Sequence, residues 1–316
     1  MSRPLVSICI TTYNHERYIA ACLQSVIGQL EESQLEILVG DDQSSDGTAA
    51  LLEQMAARHP SIRHCRHAER MGPARNIAWL VEQARGQFIA HLDGDDFWLP
   101  GKLAAQLDYL ARTPDCPAVY ANTFCIDEGG VALGLFSNRC SGRVMARELV
   151  RYGNFLNHSS LLYRAEHKSQ LLQPQCNLLD FSIHLSLARC GALGYLQIPL
   201  GVYRVGSMSS VLVSHNDYVR ELYWGALCAS RDMVYQDDLR AGIAVFMRSV
   251  FFRALRSRSP ALLRQWWWRA LREAPGSRFR LLLGAFWSIL RTLLAAARAR
   301  AGRSLTGNRL QVLYPR

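Results

Sequence analysis

At 316 residues, 49% of them apolar, the chain is long enough for one large or two smaller folded domains, and this composition excludes disorder. Its nine cysteines form no Cys-x-x-Cys pair, which argues against a zinc or disulfide framework and favours a reducing compartment. The net charge of +10 is uneven, because residues 239–316 contain 16 arginines, no lysine and a single acid, Glu273. We therefore predict a mildly acidic body followed by a basic segment with a separate role.

The first hundred residues alternate between strand and helix patterns. Short apolar runs that end in polar turns predict strands, and apolar residues at helical spacing predict helices between them. The strands are expected at 5–12, 35–39 and 88–92, and the helices at 18–30, 48–58 and 72–84. This alternation is typical of βαβ units, so we predict an α/β fold with a mostly parallel central sheet. No signal-peptide pattern precedes the first strand, so we expect a cytoplasmic protein.

After residue 115 the pattern becomes mixed. Strands are expected at 118–126, 157–166 and 193–205, and a helix at 181–191. From residue 219 the pattern is helical to the C-terminus, with breaks at Pro260 and near 274–277. We predict a first domain over residues 1–235 and a basic, amphipathic helical extension over residues 236–316.

Two acidic clusters follow predicted strands: "GDDQSSDGT" from residue 40 and "DGDD" from residue 93. Ligands of parallel sheets collect at the carboxyl ends of strands. A solvated turn is the simpler interpretation of each cluster, and residues 44–47 also suit the start of a helix. The apolar flank "FWLP" makes unpaired acids at 93–96 costly. Mg²⁺ or Mn²⁺, which bind one or two carboxylates together with substrate phosphate oxygens, would offset that cost.

The order of motifs resembles the family 2 glycosyltransferases, inverting sugar-nucleotide enzymes of the GT-A fold. The matching pieces are "SICITTYNHERYIAACLQSV", "EILVGDDQSSDGT", "GPARNIAWLVEQARGQFIAHLDGDDFWLP" and "NHSSLLYR", which together cover about residues 4–205. The resemblance implies a Rossmann-like, mostly parallel central sheet flanked by helices, with the C-terminal helices as an extension.

Carried over by position, the resemblance implies a nucleotide pocket and a metal site at the strand ends. The residues expected to contact the nucleotide are Thr11, Tyr13, Asp41, Asp42, Arg75 and Asp93. The resemblance also implies that Asp93 and Asp95 bind Mn²⁺ or Mg²⁺, which bridges to the donor diphosphate. Asp96 is expected to form local hydrogen bonds that hold the loop.

The resemblance places the general base at Asp180, where a helix N-cap is the alternative role. His158 and Ser159 are expected near the acceptor or donor sugar, although a lone histidine is more often structural. Related enzymes often carry a metal-contacting histidine shortly after the "YR" that ends the later strand. This sequence has Gly206 near that place, and His215 is a candidate replacement.

The expected reaction moves a sugar from a nucleoside-diphosphate sugar, with a UDP-sugar favoured, to a hydroxyl of a lipid-linked or polysaccharide acceptor. The expected setting is bacterial surface polysaccharide synthesis. One alternative is a nucleotidyltransferase acting on sugar phosphates, but the first strand–helix turn, "TTYNHERY", lacks the glycines that such enzymes use. The other is a non-catalytic adaptor at a membrane surface.

The basic segment has the pattern of amphipathic helices. In "ALLRQWWWRALRE", one side carries Leu263, Trp266, Trp267, Ala270 and Leu271. The next run is "RFRLLLGAFWSILRTLLAAARAR". Only 17 residues lie between its Arg280 and Arg298, fewer than the about 20 that a spanning helix needs, and Arg291 interrupts them. We expect these helices to lie on an anionic membrane, peripheral to its inner face. The alternatives are packing within the protein or an oligomer; nucleic acid is not expected as a partner.

Overall fold

The computed structural model describes residues 4–173, 179–206, 216–306 and 311–314. Its contacts divide the chain into two compact units, which we call the sheet unit and the helical unit. The sheet unit falls within residues 1–144, 155–223 and 311–316, and the helical unit within residues 145–154 and 224–310.

Strands and helices alternate through the first part of the chain, and helices dominate the last part. The strands are β1 (Val6–Thr12), β2 (Leu35–Asp41), β3 (Ile62–Arg66), β4 (Phe88–Asp93), β5 (Phe97–Trp98), β6 (Ala118–Ile126), β7 (Ala132–Ser137), β8 (Gly142–Val144), β9 (Leu162–Arg164), β10 (Leu193–Arg204) and β11 (Gln311–Tyr314). The helices are α1 (Ile19–Val26), α2 (Thr48–Arg58), α3 (Pro73–Gln83), α4 (Lys102–Arg112), α5 (Ala146–Tyr152), α6 (Lys168–Leu171), α7 (Asp180–Cys190), α8 (Asn216–Ala229), α9 (Gln236–Ser257), α10 (Pro260–Glu273) and α11 (Arg278–Thr306).

All these strands belong to the sheet unit and form one mixed sheet. Its main path runs in the order β11-β7-β6-β9-β4-β1-β2-β3, and β10 pairs with β5, β6 and β8. The strands β4, β1, β2 and β3 are mutually parallel, as the βαβ pattern predicts. β9 runs antiparallel to both of its neighbours, β4 and β6, so the second half of the sheet is mixed.

The parallel strands form the centre of the core because both of their faces are covered. Their apolar side chains, such as Ile8, Ile10, Ile37 and Val39, have no solvent exposure. Such continuous apolar runs are typical of strands buried on both faces. Helix α1 packs on this core through the stripe Ile19, Cys22, Leu23 and Val26, which recurs at helical spacing.

The register of these parallel strands brings the two acidic clusters to one edge of the sheet. Thr11 of β1 pairs with Asp93 of β4, and Thr12 pairs with Asp41 of β2. Because neighbouring strands lie about 4.8 Å apart, the backbones of Asp41 and Asp93 are separated by about 10 Å across β1. The sheet therefore places one acidic cluster on each side of Tyr13, the residue that follows β1.

In the helical unit, the apolar side of α10 packs internally. Trp266 is 2% exposed, with its ring centroid 5.1 Å from that of Phe246 and 6.1 Å from that of Trp224. Ala270 on the same side is fully buried, whereas Trp268 is 68% exposed. For this part of the basic segment, packing within the protein, which the sequence left open as an alternative, is what the structure shows.

Two further expectations concern the C-terminal region. The prediction of helix to the end of the chain is wrong for Gln311–Tyr314, which form β11 and pair in parallel with β7. A run of four residues is too short for periodicity to distinguish a strand from a helix. In the described part of the chain, no helix is long and apolar enough to cross a membrane.

Candidate active site

Asp93 ends β4 and lies at the centre of the candidate site. The Thr11 hydroxyl donates a hydrogen bond to Asp93 Oδ1 at 2.9 Å. Burial raises the pKa of Asp93 to about 6, with further upward contributions from Asp95 and Asp180 and an opposing one from His158. The structure thus brings the predicted metal ligands, base and sugar-binding histidine into one electrostatic neighbourhood.

The next two carboxylates of the loop have different surroundings. Asp96 is 2% exposed, and its two oxygens accept hydrogen bonds from Ser159 Oγ at 2.6 Å and from the Arg204 backbone at 2.8 Å. Burial, together with the nearby carboxylates, raises the pKa of Asp96 well above its usual range. Asp95 Oδ2 is 3.9 Å from His15 Nε2. The prediction that Asp96 holds the loop is confirmed.

The loop lies close to the end of β1, and Gly94 makes that approach feasible. A Cβ at this position would lie 2.7 Å from His15 Nδ1 and 2.9 Å from Thr12 Oγ1. These two atoms are themselves 3.2 Å apart and form a hydrogen bond. A residue without a side chain is therefore required between the two acids Asp93 and Asp95.

Asp41 ends β2, as predicted, and is completely buried. Its Oδ1 accepts from the Ser44 amide at 3.0 Å and from the Ser44 hydroxyl at 2.5 Å. Its Oδ2 has no hydrogen-bond partner among the described residues, and the nearest cation, Arg66 Nε, is 3.8 Å away. A buried carboxylate oxygen without a donor is costly, so this atom is suited to accept from a ligand.

Asp42 is occupied in holding a neighbouring loop. Its carboxylate accepts from the backbone amides of Met71 at 2.6 Å and Gly72 at 3.1 Å, immediately before α3. The predicted contact of Asp42 with a nucleotide stays a prediction. Arg75 is exposed in the first turn of α3, and the structure describes no hydrogen bond or ion pair of its side chain.

The sequence did not single out Arg70, which lies against Tyr13. Its guanidinium carbon is 3.7 Å from the centroid of the Tyr13 ring, and its Nε is 3.8 Å from Asp42 Oδ2. Stacking of this kind is a cation–π contact. Arg70 therefore covers one face of the ring that was predicted to stack on a nucleobase.

Asp180 is the first residue of α7 and is half-buried. The N-cap position belongs to Leu179, whose own side chain forms no capping hydrogen bond. The alternative role of Asp180 as the N-cap is therefore wrong. Asp180 also affects the pKa of Tyr120. Burial of the Tyr120 hydroxyl raises this pKa most, and the Asp180 carboxylate adds a smaller upward contribution.

His158 is 4% exposed and lies among other histidines. Its ring centroid is 4.8 Å from that of His91 on β4 and 5.9 Å from that of His184 on α7. Its Nδ1 has no hydrogen-bond partner in the described structure. The neighbouring Ser159 is tied to the acidic loop, because its backbone oxygen accepts from Trp98 Nε1 at 2.7 Å and its hydroxyl donates to Asp96. His184 was not singled out from the sequence, although its position one helical turn after Asp180 would have indicated it.

Two observations bear on the predicted metal site. Among the described residues, no three His, Cys, Asp or Glu side chains are arranged to hold a metal ion. His215 lies outside the described residues. Two carboxylates alone still suit Mg²⁺ or Mn²⁺, since substrate phosphates and water complete the coordination of these ions.

Comparison with known proteins identifies the family. The model of glycosyl transferase family 2 matches residues 7–193, which include both acidic clusters, His158 and Asp180. The chain belongs to glycosyltransferase family 2. It is 28% identical over 201 residues to the uncharacterized protein Rv1520 of Mycobacterium tuberculosis, covering 63% of this chain and 58% of that protein. The glycosyltransferase therefore spans a little more than half the length of the curated relatives that it first matches.

A relative with a described reaction and a solved structure extend the comparison. The chain is 29% identical over 157 residues to an Escherichia coli protein, covering 50% of this chain and 57% of that one. That protein is the UDP-Glc:alpha-D-GlcNAc-diphosphoundecaprenol beta-1,3-glucosyltransferase WfgD. The crystal structure of S. aureus TarS 1-349 with UDP-GlcNAc superposes with a TM-score of 0.52 at 14% identity, covering 96% of this chain and 76% of that one. This likeness confirms the predicted GT-A fold.

Proposed function

We propose that this glycosyltransferase moves a sugar from a UDP-sugar to a hydroxyl of a lipid-linked or polysaccharide acceptor, with inversion at the anomeric carbon. WfgD supports both halves of the proposal, since its name gives a UDP-sugar donor and a diphosphoundecaprenol-linked acceptor. TarS, whose structure holds UDP-GlcNAc, supports a UDP-sugar for this fold. The proposed setting is surface polysaccharide synthesis.

The observation that carries the proposal is the pair of strand ends that flank β1. On one side, Asp41 Oδ2 accepts no hydrogen bond from the described residues, and Asp93 lies on the other side, about 10 Å away by strand spacing. Tyr13, between them, presents a ring for base stacking. We assign the base and ribose to Asp41 and Tyr13, and the diphosphate to the Asp93 side. Thr11 positions Asp93 through its hydrogen bond.

The donor set fits a hard divalent cation. Asp93 and Asp95 supply carboxylate oxygens, the ligand type that Mg²⁺ and Mn²⁺ prefer. The raised pKa of Asp93 reflects burial beside other acids, which a cation would offset. When bound, the ion would neutralise charge on the leaving diphosphate. Asp96 is left out of this set because it is 2% exposed and both of its oxygens accept short hydrogen bonds, at 2.6 and 2.8 Å. Asp93 Oδ2, in contrast, has only a 3.4 Å contact with the Ser159 hydroxyl among the described residues.

Asp180 is the proposed general base. The acceptor hydroxyl oxygen attacks the anomeric carbon while its proton passes to the Asp180 carboxylate. The bond from the anomeric carbon to the diphosphate oxygen breaks, and its electron pair leaves with the nucleoside diphosphate. The upward contribution of the Asp180 carboxylate to the pKa of Asp93 supports this assignment, because a charge has such an effect only when it is near the group that titrates.

Donor binding tests the metal assignment. We expect calorimetry of UDP-GlcNAc and UDP-Glc with Mn²⁺ to show binding that Asp95→Asn weakens at least about tenfold, as for loss of a charged ligand. Asp108→Asn, the same change at an exposed position on α4, is the matched control and should bind like the wild type. Unchanged Mn²⁺-dependent affinity of Asp95→Asn would show that the assignment is wrong.

Turnover tests the base. Asp180→Asn should keep donor affinity, whereas slow hydrolysis of the same UDP-sugar should fall about 10²–10⁴-fold, the usual contribution of general-base catalysis. Hydrolysis is used because it needs no identified acceptor. Wild-type hydrolysis rates in Asp180→Asn would remove this residue as the base, even if donor binding behaves as proposed.

A further inference from the structure

We propose that α11 docks this protein on the surface of an anionic lipid bilayer through an apolar face bordered by arginines. The proposal concerns the helical unit alone and does not rest on the proposed function. It starts from a contrast between two sides of one helix.

The inner side of α11 is committed to the helical unit. Leu281 and Ala285, four residues apart, are fully buried. Between them, a Cβ at Gly284 would lie 3.5 Å from the Ala244 Cβ of α9, an ordinary van der Waals distance. This side of the helix is therefore packed and fixed, so the opposite side has a defined orientation.

The opposite side is apolar and exposed, which is the reverse of an ordinary surface helix. We call it the outer face. Its large apolar side chains and their exposures are Phe279 73%, Leu282 39%, Leu283 45%, Phe286 58%, Trp287 50%, Leu293 49% and Leu294 48%. At 100° per residue they occupy an arc of about 140° centred opposite the buried side chains. A contiguous apolar face of this kind marks an interaction site.

Arginines border the outer face along one edge. Arg280 and Arg291 are exposed and project within about 20° of each other at helical spacing, next to Trp287. Neither forms an ion pair in the part of the chain that the structure describes. The segment's single acid, Glu273, is already paired with Arg269 at 3.2 Å. Basic side chains beside an apolar face match anionic lipid headgroups.

The helix suits the surface of a bilayer better than its interior. With 29 residues, α11 is about 44 Å long, but Arg291 within it would cost about 2.5–3.5 kcal/mol near the centre of a bilayer. Lying in the plane of the interface, it would place the phenylalanines and leucines about 5–10 Å deep. Trp287, between these and the arginines, then lies at the headgroup level that tryptophan prefers.

Other occupants fit less well. A second copy would bring one arginine-rich, acid-poor segment against another, and like charges oppose that contact. A nucleic acid would satisfy the arginines but leave the phenylalanine and leucine side chains in water. An anionic bilayer would cover the apolar side chains with its acyl chains and pair the arginines with its headgroups.

Co-sedimentation with vesicles tests the proposal on the full chain. We expect strong binding to an equal mixture of phosphatidylcholine and phosphatidylglycerol, and weak binding to phosphatidylcholine alone. Phe279→Glu with Phe286→Glu should lower partitioning at least about tenfold on the mixed vesicles. Arg280→Gln and Arg291→Gln should each lower it about fivefold, which corresponds to about 1 kcal/mol per basic residue. Tyr235→Glu, at a position 79% exposed but outside α11, is the control and should bind like the wild type.

Each other result would overturn the proposal. Wild-type protein that stays in the supernatant, or outer-face variants that sediment like Tyr235→Glu, would show that this face does not bind lipid. A dimer that the Phe279→Glu and Phe286→Glu changes convert to monomer, without vesicle binding, would assign the face to self-association. Binding to duplex DNA that outcompetes vesicles would assign it to nucleic acid. Unchanged circular dichroism and donor affinity would show that the variants are folded.

Discussion

Three aspartates in one short loop have different roles because their surroundings differ. Asp96 is enclosed, with both oxygens accepting hydrogen bonds, so it maintains the loop. Asp93 accepts from Thr11 at 2.9 Å, and its other oxygen has a long 3.4 Å contact with the Ser159 hydroxyl. The side chain of Asp95 is 12% exposed and lies 3.9 Å from His15. The family resemblance already separated Asp96 from the two candidate ligands, and the short hydrogen bonds to Asp96 give the physical reason.

The enclosed carboxylate makes a stability prediction. Asp96→Ala should lower the free energy of unfolding by about 1–3 kcal/mol, because it leaves the Arg204 amide without its acceptor and the Ser159 hydroxyl with only its 3.4 Å contact to Asp93. Urea denaturation measures this change. Asp108→Ala, which removes an exposed ion pair to Arg112, should cost less than about 1 kcal/mol. Equal costs for the two variants would contradict the structural role of Asp96.

Lys102 is a buried amine without a carboxylate partner among the described residues. Its side chain has no solvent exposure, its Nζ donates to Gln106 Oε1 at 2.7 Å, and the same nitrogen is 3.7 Å from the Trp98 ring centroid. Burial lowers the pKa of Lys102 well below its usual value. Folding therefore opposes protonation of this residue.

This burial predicts a pH-dependent stability. Between the folded and unfolded pKa values of Lys102, the unfolded chain binds one more proton, so stability rises with pH by up to about 1.4 kcal/mol per pH unit. Lys102→Met removes this contribution. The unfolding free energy of the variant minus that of the wild type should therefore decrease as the pH is raised from neutral toward the unfolded pKa. Urea titrations at several pH values measure it, with Arg112→Met on the same helix as control. A constant difference for Lys102→Met would contradict a lowered pKa.

At the scale of elements, strand ends were predictable and long-range partners were not. The apolar runs stop at Asp41 and Asp93, so β2 and β4 end where the sequence changes character. Arg70 on Tyr13 and His91 beside His158 escaped prediction because tertiary contacts alone bring them together. For the site, the family resemblance predicted which residues take part. The hydrogen bonds of the structure then show which carboxylate oxygens are already occupied within the protein and which can bind a ligand.

The packing of α3 on β2 gives a prediction for two elements together. A Cβ at Gly40 would clash with Asn76 Oδ1, and Asn76 Nδ2 donates to the Gly40 carbonyl at 2.8 Å. Gly40→Ala should therefore cost about 1–3 kcal/mol by overpacking. In the double variant with Asn76→Ala, the clash is absent, so the combined cost should be at least about 0.5 kcal/mol below the sum of the single costs. Additive costs in urea denaturation would show that α3 adjusts without strain.

At the scale of the whole molecule, composition separates a mildly acidic body from a basic segment, whereas contacts group the chain differently. Helix α5 (Ala146–Tyr152) belongs to the helical unit although it lies within the acidic part of the sequence. Arg151 pairs with Asp238 of α9 at 3.0 Å, and Leu149 and Val150 are fully buried. Periodicity identifies a helix but not the partner on which it packs.

This grouping predicts how the chain responds to truncation. A chain ending at residue 223 retains α5 but loses α9. In the full chain these two helices pack closely, since a Cβ at Gly242 of α9 would lie 2.2 Å from the Val150 carbonyl oxygen of α5. Leu149 and Val150 would then be exposed, and each buried aliphatic side chain contributes about 1.5–3 kcal/mol. We expect this truncated chain to aggregate. The same truncation with residues 145–154 replaced by a glycine–serine linker should remain monomeric by light scattering and melt at a higher temperature. If both truncated chains aggregate equally, the exposed face of α5 is not the cause. The loss of β11, which leaves the edge of β7 unpaired, or the loss of the helices would then be responsible.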